Sequence, residues 1–191
     1  MAIQINGSGT VTGISVGGLP DGIVDTDTIA TAAASPEKLG DNIIIQTSII
    51  GTPNNVTAPN DGTYTDVMTH NFTPKRSDSK LLYHIMFQCY CNNSNGVSNG
   101  IDYRILQDST TIKEQHWANY LNVASYTHDW YPQMNVIDFI TPNTTNQITF
   151  KLQGRQYQGS TSSFQTSFGE DNKNGSAVGN TIVWKIEELT V

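Results

Sequence analysis

The chain has 191 residues and a net charge of −7, and only 14% of its residues are charged. Thr, Asn and Ser together supply 56 residues (23, 18 and 15), and these small polar types suit strand surfaces and turns better than helix interiors. The composition therefore predicts an all-β protein and argues against a helical bundle. The acidic balance also argues against a partner that is nucleic acid or an anionic membrane surface, since both require a basic face.

The sequence contains no predicted export signal and no predicted cysteine pair. The sequence contains no run of 18 or more apolar residues, so it predicts no transmembrane helix. The first 16 residues show neither the basic nor the apolar region of a secretory signal peptide. We therefore expect synthesis in a cytosol, without membrane insertion. Cys89 and Cys91 fit neither a disulfide framework nor a C-x-x-C site, so we expect two small buried side chains. No cofactor and no metal ion are expected.

The distribution of aromatic residues divides the chain in two. All 17 Phe, Trp and Tyr residues lie between Tyr64 and Trp184, so the first 63 residues contain none. Aromatic side chains supply much of the area that a core buries. The N-terminal part is therefore poorly equipped for a core of its own and has to pack on the rest of the chain or on copies of itself. We divide the chain into an N-terminal segment, residues 1–41, and a second domain, residues 42–191.

Residues 7–40 predict an extended segment that is rich in glycine and alanine. Apolar residues separated by glycines predict short strands, and the sequence LPDG at 19–22 predicts a turn. Asp25 and Asp27 can cap a first short helical turn, and Pro36 can begin a second one that ends at Gly40. Helices this short are marginal in water, so their order has to come from packing.

The second domain shows about eight strand patterns separated by turn signals. They cover residues 42–50, 63–72, 80–91, 101–107, 111–117, 131–140, 147–155 and 181–189. The isoleucines of the first pattern predict a fully buried strand, and strict alternation over residues 80–91 predicts two different faces. The long polar region 154–179 is expected to be a loop with a short strand near Phe164 and Phe168. Strands at this spacing are typical of an antiparallel β-sandwich, here of jelly-roll type.

Several motifs resemble fibre-type virion proteins of tailed bacteriophages, the group of short tail fibres and head fibres. The sequence GTVTGISVGGLPDGIVD at 9–25 resembles their N-terminal or stalk segments. The sequences DTDTIA at 25–30 and PEKL at 36–39 are similar to one stalk unit, which these proteins often repeat. The sequences FTPK at 72–75 and SKLL at 79–82 are similar to a turn before a long strand in their C-terminal knob domains.

The resemblance implies a homotrimer that is located in a virion. Three chains would intertwine along the stalk, so that closely approaching chains form the core that one chain lacks. The N-terminal segment would attach to other virion proteins, and the knob would face the host surface. No catalytic residue is implied. The apolar residues assigned to the trimeric stalk are Val11, Ile14, Val16, Leu19, Ile23, Ile29 and Leu39.

The densest group of aromatic residues is the candidate receptor-binding site. Flat rings next to amide and carboxylate groups suit carbohydrate recognition, through stacking and hydrogen bonds. The same rings could instead fill the core of the sandwich or line the trimer axis, and the polar loop 156–180 is a second exposed candidate. The candidate residues are Trp117, Tyr120, Tyr126, His128, Trp130 and Tyr131.

Enzymatic alternatives depend on weaker patterns. The sequence GISVG at 13–17 matches the nucleophile elbow of hydrolases but lacks the strands that must precede it, so a glycine-rich strand is the simpler interpretation. Glu114 and His116 share a strand face and could form a metal or acid–base site with His128 and Asp129, although exposed or satisfied histidines are simpler. A glycosidase would need a pair among Asp102, Asp108, Glu114, Asp129 and Asp138.

The leading hypothesis is a non-enzymatic phage fibre with host-surface adhesion, in which a glycan is the expected ligand. The first alternative is a capsid decoration or head fibre protein that binds no receptor. The second alternative is a small enzyme that degrades polysaccharides.

Overall fold

The computed structural model describes residues 4–5, 11–12, 40–53, 56–59, 61–93, 99–119, 128–157, 165–168 and 181–191. The chain forms two compact units, residues 1–40 and residues 41–191. In the first unit, strand β1 (Gln4–Ile5) pairs antiparallel with strand β2 (Val11–Thr12). The expected helical turns lie outside the described residues, as do all the assigned stalk residues except Val11: Ile14, Val16, Leu19, Ile23, Ile29 and Leu39.

The second unit is all-β in its described residues. Each of the eight predicted strand patterns overlaps a strand, and the short strand expected near Phe164 and Phe168 is also present. Strands β4 and β9 are not predicted, because two or three residues show no periodicity. The strands are β3 (Ile44–Pro53), β4 (Val56–Thr57), β5 (Thr65–Phe72), β6 (Lys80–Asn93), β7 (Asn99–Gln107), β8 (Thr110–Asn119), β9 (His128–Trp130), β10 (Gln133–Ile140), β11 (Ile148–Gln156), β12 (Gln165–Phe168) and β13 (Thr181–Leu189).

The strands form two antiparallel sheets. The first sheet has the order β3-β13-β6-β10 along the first part of β6. Along the last part of β6, β12 takes the place of β13 and β9 that of β10, and β4 pairs with β12. The second sheet has the order β5-β11-β7-β8. If the eight long strands alone are renumbered from 1 to 8 along the chain, their orders in the two sheets are 1-8-3-6 and 2-7-4-5. This is the strand order of a jelly roll, so the jelly-roll prediction is confirmed.

Alternation along the strands builds the core between the sheets. In β6 the odd-numbered residues from Leu81 to Cys89 are buried, while His84 and Met86 point outward, which confirms the two faces predicted for residues 80–91. Cys89 is a buried free thiol, as expected. The same alternation buries Phe150 in β11 and Trp184 in β13.

The prediction of a fully buried first strand is wrong. Strand β3 is an edge strand of the first sheet, and its residues alternate between the core and the outer face. Ile44 and Ile49 are 51% and 61% exposed, whereas Ile50 is half-buried and packs against the core. Apolar residues on both faces of this strand therefore leave one apolar face without cover in a single copy of the domain.

Two buried polar contacts connect the sheets. Trp184 of the first sheet packs near Phe150 and meets the edge of His70 of the second sheet, with ring centroids 6.2 and 5.8 Å apart. His70 Nε2 lies 2.8 Å from Ser48 Oγ in β3, across the core. Burial lowers the pKa of His70 to about 4, so this imidazole is neutral at neutral pH.

The second contact is the fully buried carboxylate of Glu188, near the end of β13. It accepts hydrogen bonds from the backbone N–H groups of Lys75 and Arg76, each at 2.9 Å, and from the hydroxyl of Ser79 at 2.8 Å. Residues 73–79 connect β5 of the second sheet to β6 of the first. The polar turn that precedes the long strand is therefore folded around one carboxylate, which satisfies backbone donors that would otherwise be buried without partners.

We expect Glu188→Gln to lower the free energy of unfolding by about 2 kcal/mol, because the amide NH₂ would place donors opposite the N–H groups of this loop. Urea unfolding at neutral pH measures the change. Asp78→Asn is the matched control in the same loop, since Asp78 is exposed and pairs with Arg76. Its unfolding midpoint should stay close to that of the wild type. Equal midpoints for both variants would contradict the role assigned to Glu188.

Stability should also depend on pH through His70. The unfolded chain takes up a proton near pH 6.5, while the folded chain keeps His70 neutral down to about pH 4. The unfolded state therefore binds more protons in this window, and stability falls as the pH falls through it. Relative to His70→Gln, we expect the wild type to lose about 3 kcal/mol by the end of the window. If the free energies of unfolding of the two proteins changed in parallel with pH, this linkage would be refuted.

Candidate functional site

The strand registers give the sandwich two distinct ends, here called proximal and distal. At the proximal end, Asn42 N donates to Thr190 O at 2.9 Å, next to the C-terminal Val191, and Asn143 N donates to Ser77 O at 3.0 Å. Strand β3 begins at this end. The covalent connection to residues 1–40 is therefore at the proximal end of the sandwich.

The distal end is defined by strand ends that pair with one another. Asn93 pairs with His128, Asn99 pairs with Asn119, and the last residue of β11 pairs with Ile101. The chain segments 94–98, 120–127 and 158–164 each follow or precede a strand that ends here. Strand β6 connects the two ends over 14 residues, which is about 45 Å of extended chain.

The predicted receptor-binding residues are divided between the two sheets. Trp117 lies in β8 of the second sheet, is half-buried and packs against the core. Tyr131 follows β9 in the first sheet, and its ring lies 5.3 Å from that of Tyr90. His128 and Trp130 lie in β9. The other two candidates, Tyr120 and Tyr126, lie outside the described residues.

The outer face of the second sheet carries a network of charged residues, here called the polar face. Its members come from β5, β7, β8 and β11 and from the residue before β5, and the strand registers place them opposite one another. Sequence reasoning missed the network because its partners lie up to 87 positions apart along the chain. The polar face consists of Tyr64, Asp66, Asp102, Arg104, Glu114, His116, Lys151, Gln153 and Arg155.

One half of the polar face is organised around Asp66. Its carboxylate accepts hydrogen bonds from Lys151 Nζ, at 2.7 Å, and from Gln153 Nε2. These two hydrogen bonds, first that of Lys151, lower the pKa of Asp66. The side-chain oxygen of Gln153 in turn accepts a hydrogen bond from Arg104 Nε at 2.7 Å. An unbroken chain of contacts therefore crosses from β5 to β7.

The other half is organised around Asp102, which is 8% exposed. Its two carboxylate oxygens contact Arg155 Nε at 3.0 Å and His116 Nδ1 at 2.8 Å. Arg155 also donates to the carbonyl oxygen of Gly62 at 3.0 Å, and Gly62 adopts a φ of +84° that favours glycine. This contact ties the loop before β5 to the sheet.

Tyr64 connects the two halves. Its ring lies 4.1 Å from the guanidinium carbon of Arg104 and 4.5 Å from that of Arg155. Its hydroxyl donates to Glu114 Oε1 at 2.8 Å. Burial, followed by this hydrogen bond, raises the pKa of Tyr64 to about 12. The polar face therefore carries equal numbers of carboxylates and positively charged side chains, three of each. Each of its acidic groups already has a hydrogen-bonding partner.

The outer face of the first sheet is different, and we call it the apolar face. Ile49, Ile137 and Phe139 are 61%, 54% and 55% exposed, and Met86 is 44% exposed. The register aligns Ile49, Lys185, His84 and Ile137 across the four strands. A depression of about 320 Å³ lies on this part of the sheet, lined by Met86, Phe87, Gln88, Gln133, Met134, Asn135 and Val183.

Two pairs of polar side chains lie on the apolar face. Lys185 Nζ lies 2.6 Å from Glu187 Oε1. His84 Nε2 lies 2.6 Å from Asn135 Oδ1. Leu82 and Val183 fill the positions between them and are half-buried. Lys80, at the start of β6, also lies on this outer face and is exposed, so the face combines exposed apolar residues with a few charged and polar ones.

Within the described ranges, no three His, Cys, Asp or Glu side chains are grouped so that they could hold a metal ion. Glu114 and His116 do share an exposed face of β8, as expected, but they bind Tyr64 and Asp102 respectively. No helix in these ranges is long and apolar enough to cross a membrane.

Comparisons with known proteins reveal only distant similarity in fold. No protein-family model and no curated protein matches the chain. The infectious bursal disease virus VP2 subviral particle is 13% identical, with a TM-score of 0.37 over 78% of this chain and 42% of that chain. The structure of the Gx strain of that virus is 9% identical, with a TM-score of 0.35 over 77% and 40%.

Dimeric latent PorU from Porphyromonas gingivalis is 9% identical, with a TM-score of 0.34 over 78% of this chain and 13% of that chain. The chain spans about two fifths of the two viral chains that it matches. At these identities and TM-scores, the similarities carry no argument about function.

The polar face makes one prediction about stability. We expect Asp102→Asn to lower the free energy of unfolding by about 1–2 kcal/mol, because Arg155 loses its ionic partner in a half-buried position. Asp138→Asn is the matched control, since Asp138 pairs with Lys113 at 2.7 Å but is 46% exposed, and a loss below about 0.5 kcal/mol is expected. Urea unfolding measures both. A loss for Asp102→Asn no larger than for the control would refute the cross-strand role of this network.

Proposed function

We propose that the chain is a non-enzymatic structural component of a phage virion. In this proposal it forms a short homotrimeric fibre, whose N-terminal segment attaches to other virion proteins and whose jelly-roll domain binds a glycan of the host surface. The observation that carries the proposal is the position of the two functional regions on the sandwich. Residues 1–40 connect to its proximal end, whereas the candidate binding residues flank its distal end.

This arrangement suits a fibre. A fibre has to be anchored at one end and to present its binding residues at the other, and the sandwich separates the two by the length of β6. Loops at the end of a rigid sandwich are common binding sites, since the strands fix their ends while the loop residues are free to vary. Segment 120–127, with Tyr120 and Tyr126, joins β8 of the second sheet to β9 of the first sheet along the chain.

The homotrimer is supported by the composition of the N-terminal segment. Its residues include no aromatic side chain and many glycines and alanines, which allow chains to approach closely. A segment of this kind gains a core when several copies pack together. Three copies would also carry three glycan sites, so weak binding at each site would add up to firm adhesion.

The contacts of the carboxylates support a non-enzymatic role. Asp102 and Glu114 are held by the polar face, and Asp108 accepts a hydrogen bond from the backbone of Thr149. The hydrogen bond from Lys113 lowers the pKa of Asp138, whereas the general acid of a glycosidase needs a raised pKa. These four groups are engaged in structural contacts. The fifth candidate, Asp129, lies in β9.

Two measurements on the full chain test the proposal. Light scattering should give three times 20.9 kDa. On an array of bacterial surface polysaccharides, the labelled trimer should bind at least one glycan, and Tyr120→Ala/Tyr126→Ala should reduce this binding by at least about tenfold. Asn71→Ala, which removes an exposed side chain from β5, is the control and should bind like the wild type.

Each other outcome contradicts a specific part of the proposal. A monomeric full chain would favour an adaptor whose N-terminal segment folds only on another virion protein. A trimer that binds no polysaccharide would favour the capsid decoration or head fibre alternative. Release of reducing ends from an arrayed polysaccharide would favour the degrading enzyme.

A further inference from the structure

We propose that the polar face is a second glycan-binding surface, whose ligand is a neutral polysaccharide held by Arg104, Glu114 and His116. The proposed function assigns glycan binding to the distal end, so this inference adds a site on the outer face of the second sheet. It rests on the glycan adhesion of the proposed function and does not depend on the trimer. It is carried by three neighbouring side chains that are each fixed at one atom and free at another.

Arg104 is held in place by uncharged partners. Its Nε donates to the side-chain oxygen of Gln153 at 2.7 Å, and its guanidinium carbon lies 4.1 Å from the ring centroid of Tyr64. The other two cations of the polar face, Lys151 and Arg155, each bind a carboxylate. Among the residues that the structure describes, the two Nη groups of Arg104 have no hydrogen-bonding or ionic partner. They therefore present a planar pair of donors whose orientation is already fixed.

Two acceptors lie next to this donor pair on β8, and both side chains are exposed. Glu114 is directly opposite Arg104, and its Oε1 accepts the hydrogen bond from Tyr64, while its Oε2 has no partner in the described strands. His116 lies on the same face of β8, about 7 Å further along the strand. Its Nδ1 contacts the carboxylate of Asp102, which can only accept. Nδ1 therefore carries the hydrogen, and Nε2 of the neutral ring is an acceptor.

The side chains that hold these groups are themselves fixed. Gln153, which binds Arg104, donates a hydrogen bond to Asp66. Asp102, which binds His116, is 8% exposed and also accepts a hydrogen bond from Arg155 at 3.0 Å. Side chains that are already ordered lose little conformational entropy when a ligand binds, so they form a more effective site than free surface side chains.

The mixture of donors and acceptors indicates a neutral polysaccharide. A sugar hydroxyl donates one hydrogen bond and accepts others, so neighbouring hydroxyls match a pair of donors next to free acceptors. An acidic polysaccharide would instead bring its carboxylates close to Glu114 and Asp66, on a chain with a net charge of −7. The polar face carries equal numbers of positive and negative side chains and therefore offers no net charge to a charged polymer.

Binding of the full chain to an array of bacterial surface polysaccharides, sorted into neutral and uronate-containing polymers, tests the inference. Arg104→Lys keeps the positive charge but removes the planar pair of donors. We therefore expect the affinity for at least one neutral polysaccharide to fall at least about tenfold. Arg76→Lys is the matched control, because Arg76 lies in the connection 73–79 and pairs with Asp78. It should bind every polysaccharide like the wild type.

Glu114→Gln is a second variant, and it decides the test if Arg104→Lys does not fold. The amide oxygen can still accept the hydrogen bond from Tyr64, but the amide nitrogen places donors where the free acceptor was. Affinity for the same neutral polysaccharide should fall at least about fivefold. Binding by the wild type should be unchanged up to about 0.5 M salt, since a neutral ligand carries no charge that salt could screen. Urea unfolding midpoints verify the fold of each variant.

The outcomes separate the two proposals. A wild-type chain that binds no polysaccharide overturns both glycan adhesion and the inference. If the wild type binds and both Arg104→Lys and Glu114→Gln bind equally well, the inference alone is overturned. Losses confined to uronate-containing polymers, with binding that weakens in salt, would show that Arg104 holds a carboxylate and would also overturn it. A loss in Arg104→Lys without any loss in Tyr120→Ala/Tyr126→Ala would support the inference and contradict the distal site of the proposed function.

Discussion

Alternate residues of every strand in a two-sheet sandwich have to share one core, so the residues between them form two outer faces whose chemistry is independent. In this jelly roll the constraint acts most clearly on β6, where Leu81 and Ile85 are fully buried and His84 and Met86 lie outside. Once the strand order is set, the outward residues of neighbouring strands lie opposite one another. The second sheet thereby acquires a continuous network of charges, and the first sheet acquires an outer face on which exposed apolar residues lie beside the pairs Lys185–Glu187 and His84–Asn135.

The two sheets are joined by buried polar groups as well as by apolar packing. The carboxylate of Glu188 accepts hydrogen bonds from donors in residues 73–79, the connection that crosses from the second sheet to the first. His70 crosses the core to Ser48 as a neutral ring. Such groups add little net stability, but their loss leaves unpaired donors or charges in the core, so they help to specify one arrangement of the sheets.

The sequence predicts the strands and the sandwich well, because alternation and turn residues are local signals. The sequence does not predict burial or contacts that depend on residues distant along the chain. The isoleucines before residue 50 predict a buried strand, but burial of Ile44 and Ile49 needs a surface that a single domain does not provide. The polar face was not predicted, since pairs such as Tyr64 with Glu114 become neighbours only through the strand order. The candidate binding aromatics are a local cluster in sequence, yet Trp117 and Tyr131 belong to different sheets.

The two ends of the sandwich constrain how the proposed trimer can work. In a closed threefold assembly, all copies are related by rotation about one axis. If β6 of each copy runs along that axis in the proposed trimer, the three proximal ends lie together and so do the three distal ends. In the proposed fibre, the three chain connections to the N-terminal segments would then be at one side, and the three candidate binding regions would be at the other. Avidity requires this geometry, because sites that point in different directions cannot bind together. In the proposed fibre, an axis parallel to β6 would therefore put attachment at one end of the sandwich and adhesion at the other.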